Sequence, residues 1–79
     1  MRFKKLLELV EKYNQKYSAE NYRTLEICGT TEIYMYLKSK NGKKLACISK
    51  EGISFADEGI FFIHKEMKLL LKIMYLIRS

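Results

Sequence analysis

Apolar residues at Phe3, Leu6, Leu7, Val10, Tyr13 and Tyr17 recur every three or four positions, with Lys4, Lys5, Glu8, Glu11, Lys12 and Lys16 opposite them. This spacing predicts an amphipathic helix over residues 2–17. The i,i+4 pairs of Lys4 with Glu8 and Glu8 with Lys12 add about 0.2–0.5 kcal/mol each. Residues 18–21 lack a periodic apolar signal and read as the connection into a first strand at 22–28.

Over residues 31–49, TEIYMYLKSKNGKKLACIS, the pattern changes to the alternation of a β-strand. Asn41-Gly42 falls between two alternating runs, and both residues tolerate the positive φ of a type I′ turn. A two-residue turn there makes a hairpin that pairs Leu37 with Ala46, Met35 with Ile48 and Tyr36 with Cys47. One face then shows Tyr34, Tyr36, Leu45 and Cys47. Gly29, Thr30 and Thr31 turn the first strand into this hairpin. A three-residue loop places Leu25 and Ile27 beside Ile33 and Met35, whereas a two-residue loop places them beside Tyr34 and Tyr36, because a slip of one residue exchanges the faces. The three-residue loop is preferred, since it gathers Leu25, Ile27, Ile33, Met35, Leu37, Ala46 and Ile48 on one apolar face.

After Ser49, Lys50-Glu51-Gly52 fits a type I turn closed by a glycine bulge, feeding a short strand at 53–55. Ser54 and Asp57 have side chains able to cap a helix, and Asp57 with Glu58 suits its positive end. The final helix is placed from about residue 59 to 77, although the run at 60–63 also suits a strand. Two stripes run along this helix: Ile63, Met67, Leu70, Met74 and Ile77 in one, and Phe62, Leu69, Ile73 and Leu76 in the other, with Lys65, Lys68 and Lys72 on the polar side. The apolar arc of roughly 220°, at about 100° per residue, is twice what one core requires. One stripe meets the sheet; the other needs a second partner, which is the first helix, a second subunit or foreign protein, or a membrane surface. The fold expected is α+β: an N-terminal helix, a three- to four-stranded antiparallel meander and a long C-terminal helix.

At 79 residues the chain is expected to be one domain with a modest core. Its 48% hydrophobic content and lack of proline argue against disorder. Fifteen Lys and Arg against nine acids give a net charge of +6. Such an excess serves solubility or association with nucleic acid, an anionic membrane or an acidic protein patch. Cys28 and Cys47, with the single His64, assemble no metal-ligand spacing. With a central strand between them the two thiols stand roughly 10 Å apart, too far for a disulfide. They read as free thiols in a reducing cytoplasm. The charged residues of the first helix do not fit a secretory signal, and no uncharged run is long enough to span a bilayer, so stable membrane insertion is not expected.

For catalysis the inventory is thin. His64 has no Ser or Asp partner at a telling spacing, and the carboxylate pairs Glu8 with Glu11 and Asp57 with Glu58 are accounted for by solvation and capping. Phosphate loops, nucleophile elbows and HExxH motifs are missing. No catalytic residue, metal or cofactor is assigned, and an enzyme is not expected. Three surfaces compete for binding. Lys38, Lys40, Lys43 and Lys44 surround the hairpin tip, where they suit phosphate contacts or keep an edge soluble. Tyr34 and Tyr36 flanked by Lys38 form a face that stacks single-stranded bases or meets a protein. Phe62, Leu69, Ile73 and Leu76 form a helix-packing stripe or a homodimer interface.

In element order and length, with TEIYMYLKSKNGKKLACIS in place of the central hairpin, the stretch from Phe3 to about Ile73 resembles the double-stranded-RNA-binding domain. Where that family opens its second helix with a lysine-rich phosphate grip, this chain has SFADEG, and its loop between the first two strands is short, so none of the family's RNA-binding residues is carried over. In size, Lys/Ile/Tyr-rich composition and helix-hairpin-helix layout the whole chain also resembles the small orphan proteins of phages and mobile elements, anti-CRISPR inhibitors among them. That resemblance implies a stoichiometric inhibitor acting on a host protein or ribonucleoprotein, such as a CRISPR nuclease or its guide complex. The alternatives are a direct RNA- or DNA-binding protein using the same residues, and a structural homodimer.

Overall fold

Leu6, Val10, Tyr13 and Tyr17 turn one face of the first helix, α1 (Phe3–Asn21), into the core, while its lysines and glutamates face outward. The helix appears in a computed structural model that describes residues 3–56 and 61–79. It runs four residues beyond the expected end, because Ser18-Ala19-Glu20-Asn21 contains no breaker and Ala and Glu favour helix. The stop is Tyr22, whose φ of 57° is left-handed. The Arg23 N–H then turns back onto the Tyr17 carbonyl at 3.1 Å, closing the helix end. The first strand, β1 (Thr24–Cys28), therefore starts two residues later than the alternation alone suggests.

Strands β1, β2 (Tyr34–Lys38), β3 (Lys44–Ser49) and β4 (Gly52–Phe55) form one antiparallel meander in sequence order. The order α-β-β-β-β-α confirms the α+β reading, with the fourth strand present. Leu25 pairs with Leu37 and Ile27 with Met35, so the loop between β1 and β2 holds the five residues 29–33 rather than three. The two-residue shift keeps the expected faces, since side chains alternate with period two. Gly29 is required in this loop: its φ is +87°, and a Cβ there would stand 2.1 Å from the Glu32 carbonyl oxygen.

The β2–β3 pairs Met35 with Ile48, Tyr36 with Cys47 and Leu37 with Ala46 are those expected. The turn is not type I′. Gly42 donates to the Ser39 carbonyl and Ser39 to the Lys43 carbonyl, both at 2.9 Å, with Lys40 and Asn41 at the corner and Gly42 at φ +80°. Among the described residues Tyr22 is the only non-glycine residue with positive φ, so Asn41 does not adopt the type I′ geometry. A three-residue loop ending in a left-handed glycine results. A bulge at Leu37/Lys38 absorbs the extra residue and restores the register. Ser49 pairs directly with Gly52, so the next turn holds Lys50 and Glu51 alone, in place of the expected three-residue bulge turn.

The second helix, α2 (His64–Arg78), starts later than expected, and residues 61–63 before it are not in a strand. Ile63 is extended, with ψ 157°, and caps the helix without a side-chain bond; Ser54 lies in β4 and takes no part. Asp57, Glu58, Gly59 and Ile60 lie outside the described residues. Leu70, Ile73, Met74 and Ile77 are buried, and α2 packs on both α1 and β3. The Arg78 Nε–H reaches the Lys50 carbonyl at 2.7 Å, tying the end of α2 to the β3–β4 turn. Leu25, Met35, Leu37, Ala46 and Ile48 complete the core from the sheet's inner face, with Ile27 and Ile33 half-buried against them. Each fully buried aliphatic side chain contributes about 1.5–3 kcal/mol.

Candidate functional site

Register places Glu26, Tyr36, Cys47 and Ser54 side by side across the four strands, and Cys28 beside Tyr34, on the sheet face opposite the core. Tyr34 and Tyr36 are half-buried there, their rings edge-to-face at 5.6 Å and 89°. Lys44 holds its Nζ 4.2 Å from the centre of the Tyr36 ring. Cys28 and Cys47 are half-buried free thiols on either side of β2. A shallow depression of about 150 Å³ is bordered by Tyr36, Lys44, Cys47, Ser54 and Phe55.

The four tip lysines are not equivalent. Lys38 gives its Nζ to Glu26 Oε2 at 3.0 Å, and this hydrogen bond holds the Glu26 carboxyl below its usual range. Lys40, Lys43 and Lys44 are exposed and in no ion pair among the described residues. Lys40 Nζ stands 4.8 Å from the centre of the Tyr22 ring, so the left-handed residue after α1 and the hairpin tip meet. Such a cation–π contact at an exposed site contributes about 0.5–1 kcal/mol. At the other end of the face Lys50 binds Glu32 at 2.8 Å; the hydrogen bond lowers the Glu32 carboxyl and raises the Lys50 ammonium.

The second stripe of α2 is used inside the chain. Ile73 is fully buried, and Phe62, Leu69 and Leu76 are half-buried against the core. His64 is exposed at the start of α2, and Glu8 and Glu11 are exposed on α1.

Three features have no counterpart in the expected sites. Glu66 is fully buried, accepting from Tyr13 Oη at 2.7 Å and from Arg23 Nη1 at 2.6 Å. Arg23 also donates to the Phe61 carbonyl and lies over the Phe62 ring at 4.6 Å. Burial, reinforced by the hydrogen bond to Glu66, pushes the Tyr13 phenol well above its usual range. Glu66 occupies a position four before Leu70 and seven before Ile73, so an acid in the buried stripe is the sequence signal. Asn14 supplies the second feature: its side-chain amide donates to the Leu25 carbonyl at 3.1 Å and accepts from the Leu25 N–H at 2.7 Å, satisfying the open edge of β1 from α1. The third is a groove between the helices lined by Lys12, Lys16, Lys65, Lys68 and Lys72.

Among the described residues no group of three or more His, Cys, Asp or Glu could hold a metal ion, and no helix is long and apolar enough to cross a membrane. Comparison of the chain with protein-family models, with curated proteins and with solved structures gave no match.

Proposed function

We propose that this protein is a non-catalytic binding module of the phage or mobile-element accessory type. It docks the outer sheet face and lysine tip on an acidic or RNA-bearing surface of a host macromolecule and so inhibits it. A CRISPR nuclease carrying its guide RNA is the target class that the chain's resemblance points to. One observation carries the reading: the core packs on the inner sheet face, and the outer one presents the Tyr34–Tyr36 pair next to Lys44, with Lys40 and Lys43 exposed in the adjoining hairpin tip. Tyrosine is favoured at protein interfaces, and a surplus of positive charge speeds encounter with an acidic partner in a salt-sensitive way.

The test is titration of the protein into guide-loaded CRISPR nucleases with target cleavage as the readout. Stoichiometric inhibition is expected, lost by at least tenfold in Lys40→Glu/Lys43→Glu/Lys44→Glu and in Tyr34→Ala/Tyr36→Ala. Unimpaired cleavage across the nuclease panel at saturating protein would overturn the reading.

A second reading, direct binding of single-stranded nucleic acid by the same face, is favoured by the edge-to-face tyrosines beside lysines, since aromatic platforms stack bases. Labelled RNA and DNA decide it: this reading fails if the Tyr34→Ala/Tyr36→Ala variant binds them as the wild type does at low salt.

A further inference from the structure

We infer that the groove between α1 and α2 is a separate binding site for the phosphodiester backbone of a nucleic acid. Lys12 and Lys16 form one bank and Lys65, Lys68 and Lys72 the other, above a floor of Tyr17 and Leu69, around about 220 Å³. All five lysines are exposed, and none is in an ion pair among the described residues. Among the described residues no acid lines the groove. Glu66, beside Lys65 in sequence, is turned into the core and held there by Arg23 and Tyr13, so its charge does not offset the cluster. Lys12 with Lys16 and Lys68 with Lys72 are like-charge pairs at i,i+4, an arrangement that costs the isolated helix a few tenths of a kcal/mol. Solubility alone is served by interspersed signs. A cluster of one sign facing one depression instead concentrates positive potential where an anion can enter.

The geometry selects the anion. From Lys65 to Lys72 the helix rises about 10.5 Å, close to the axial length of about three nucleotides of a duplex strand. Flexible ammonium groups in two rows match a run of phosphates better than one small anion, which favours a compact fork of donors. A flat anionic bilayer cannot follow a depression between two helices. A protein partner would need an apolar anchor, and the floor offers only buried Tyr17 and half-buried Leu69.

Fluorescence anisotropy with a labelled mixed-sequence 20-mer, single-stranded and duplex, tests the site across 50–300 mM salt. Lys12→Gln/Lys16→Gln/Lys68→Gln/Lys72→Gln should weaken binding at least tenfold at low salt. Its slope of log K against log salt should flatten by about three, since each neutralised phosphate contributes roughly 0.7–0.9. The hairpin variant Lys40→Gln/Lys43→Gln/Lys44→Gln should change the slope by less than the groove variant does. Circular dichroism checks the fold, and Lys12→Gln/Lys68→Gln, with half the expected change, serves if the fourfold variant does not fold. A groove variant with the wild-type slope, a hairpin variant that loses as much, or binding confined to anionic vesicles overturns the site. None of these outcomes depends on inhibition of a nuclease, so the groove and the proposed function stand or fall separately.

Discussion

Arg23 and Glu66, 43 positions apart in the chain, meet at 2.6 Å with the carboxylate fully buried and the guanidinium side chain 15% exposed. The pair joins the residue just before β1 to the first turn of α2, and Tyr13 of α1 closes the network on the second carboxylate oxygen. Glu66 also sits near the positive end of the α2 dipole. One acid thus fixes both helices and the start of the sheet relative to one another.

Removing Glu66 alone leaves Arg23 without its counter-charge and the Tyr13 hydroxyl without an acceptor. We expect Glu66→Ala to lower stability by about 3–5 kcal/mol. Replacing the network together, as Tyr13→Phe/Arg23→Met/Glu66→Leu, should come within about 2 kcal/mol of the wild type, because buried ion pairs are often no more stabilising than apolar groups of similar size. Urea melts of the two variants check this; a triple variant weaker than Glu66→Ala contradicts it.

Tyr13 gives a pH dependence of known sign. Its phenol is raised in the folded state, so the stabilisation is complete below the unfolded value of about 10 and is lost as pH rises above it. The unfolded chain releases that proton first, and stability should fall by up to about 1.4 kcal/mol per pH unit above pH 10 on account of this group. Urea midpoints at pH 8, 10 and 11 for wild type and Tyr13→Phe isolate its share. Parallel curves for the two proteins would refute it.

Tyr22 occupies a conformation that costs a residue with a Cβ roughly 1–2 kcal/mol. Glycine relieves it but adds freedom to the unfolded chain and loses the contact with Lys40. Tyr22→Gly is therefore expected to be neutral or stabilising by up to about 1 kcal/mol, by the shift in urea midpoint. A clear loss of stability would mean that the ring contributes more than its exposure suggests.

Gly29 and Gly42 have similar φ but different surroundings. A Cβ at Gly29 meets the Glu32 carbonyl oxygen at 2.1 Å and the Tyr34 ring at 3.2 Å, whereas nothing lies within 4 Å at Gly42. Gly42→Ala should cost about 1 kcal/mol from backbone strain alone. Gly29→Ala should cost at least about 2 kcal/mol, since the loop backbone must also move. Equal melting temperatures for the two variants would contradict the contact.

Much of the sheet was legible in the residues. Alternation assigned the faces, and they held except at Leu45, expected on the outer face but left unpaired at the bulge and packed against the core, although all three hairpin loops differ from the turns that local sequence favoured. The β1–β2 loop grew by two residues, which preserves parity, and at β2–β3 a bulge at Leu37/Lys38 cancelled the extra turn residue. Faces are fixed by burial of the whole apolar set, which outweighs any one turn's preference. Element ends were less legible. Nothing local marks Tyr22 as a helix stop, and the start of α2 is next to a backbone carbonyl bound by the distant Arg23.

The candidate surfaces divide in the same way. Tyr34, Tyr36 and the tip lysines could be named from the alternation and the Asn-Gly signal, since a hairpin fixes its own neighbours. The interhelical groove could not: Lys12 and Lys16 lie on one outward stripe and Lys65, Lys68 and Lys72 on another, some fifty residues on.

The sequence by itself determined the order of elements, the inner and outer sheet faces and the apolar stripes, because periodicity is a local consequence of backbone geometry. Only the tertiary structure decided that Glu66 lies buried between Tyr13 and Arg23, that Ile73 belongs to the core and that five lysines share one groove. Those outcomes depend on how two helices settle on a sheet, and that is set by the packing of all the side chains at once.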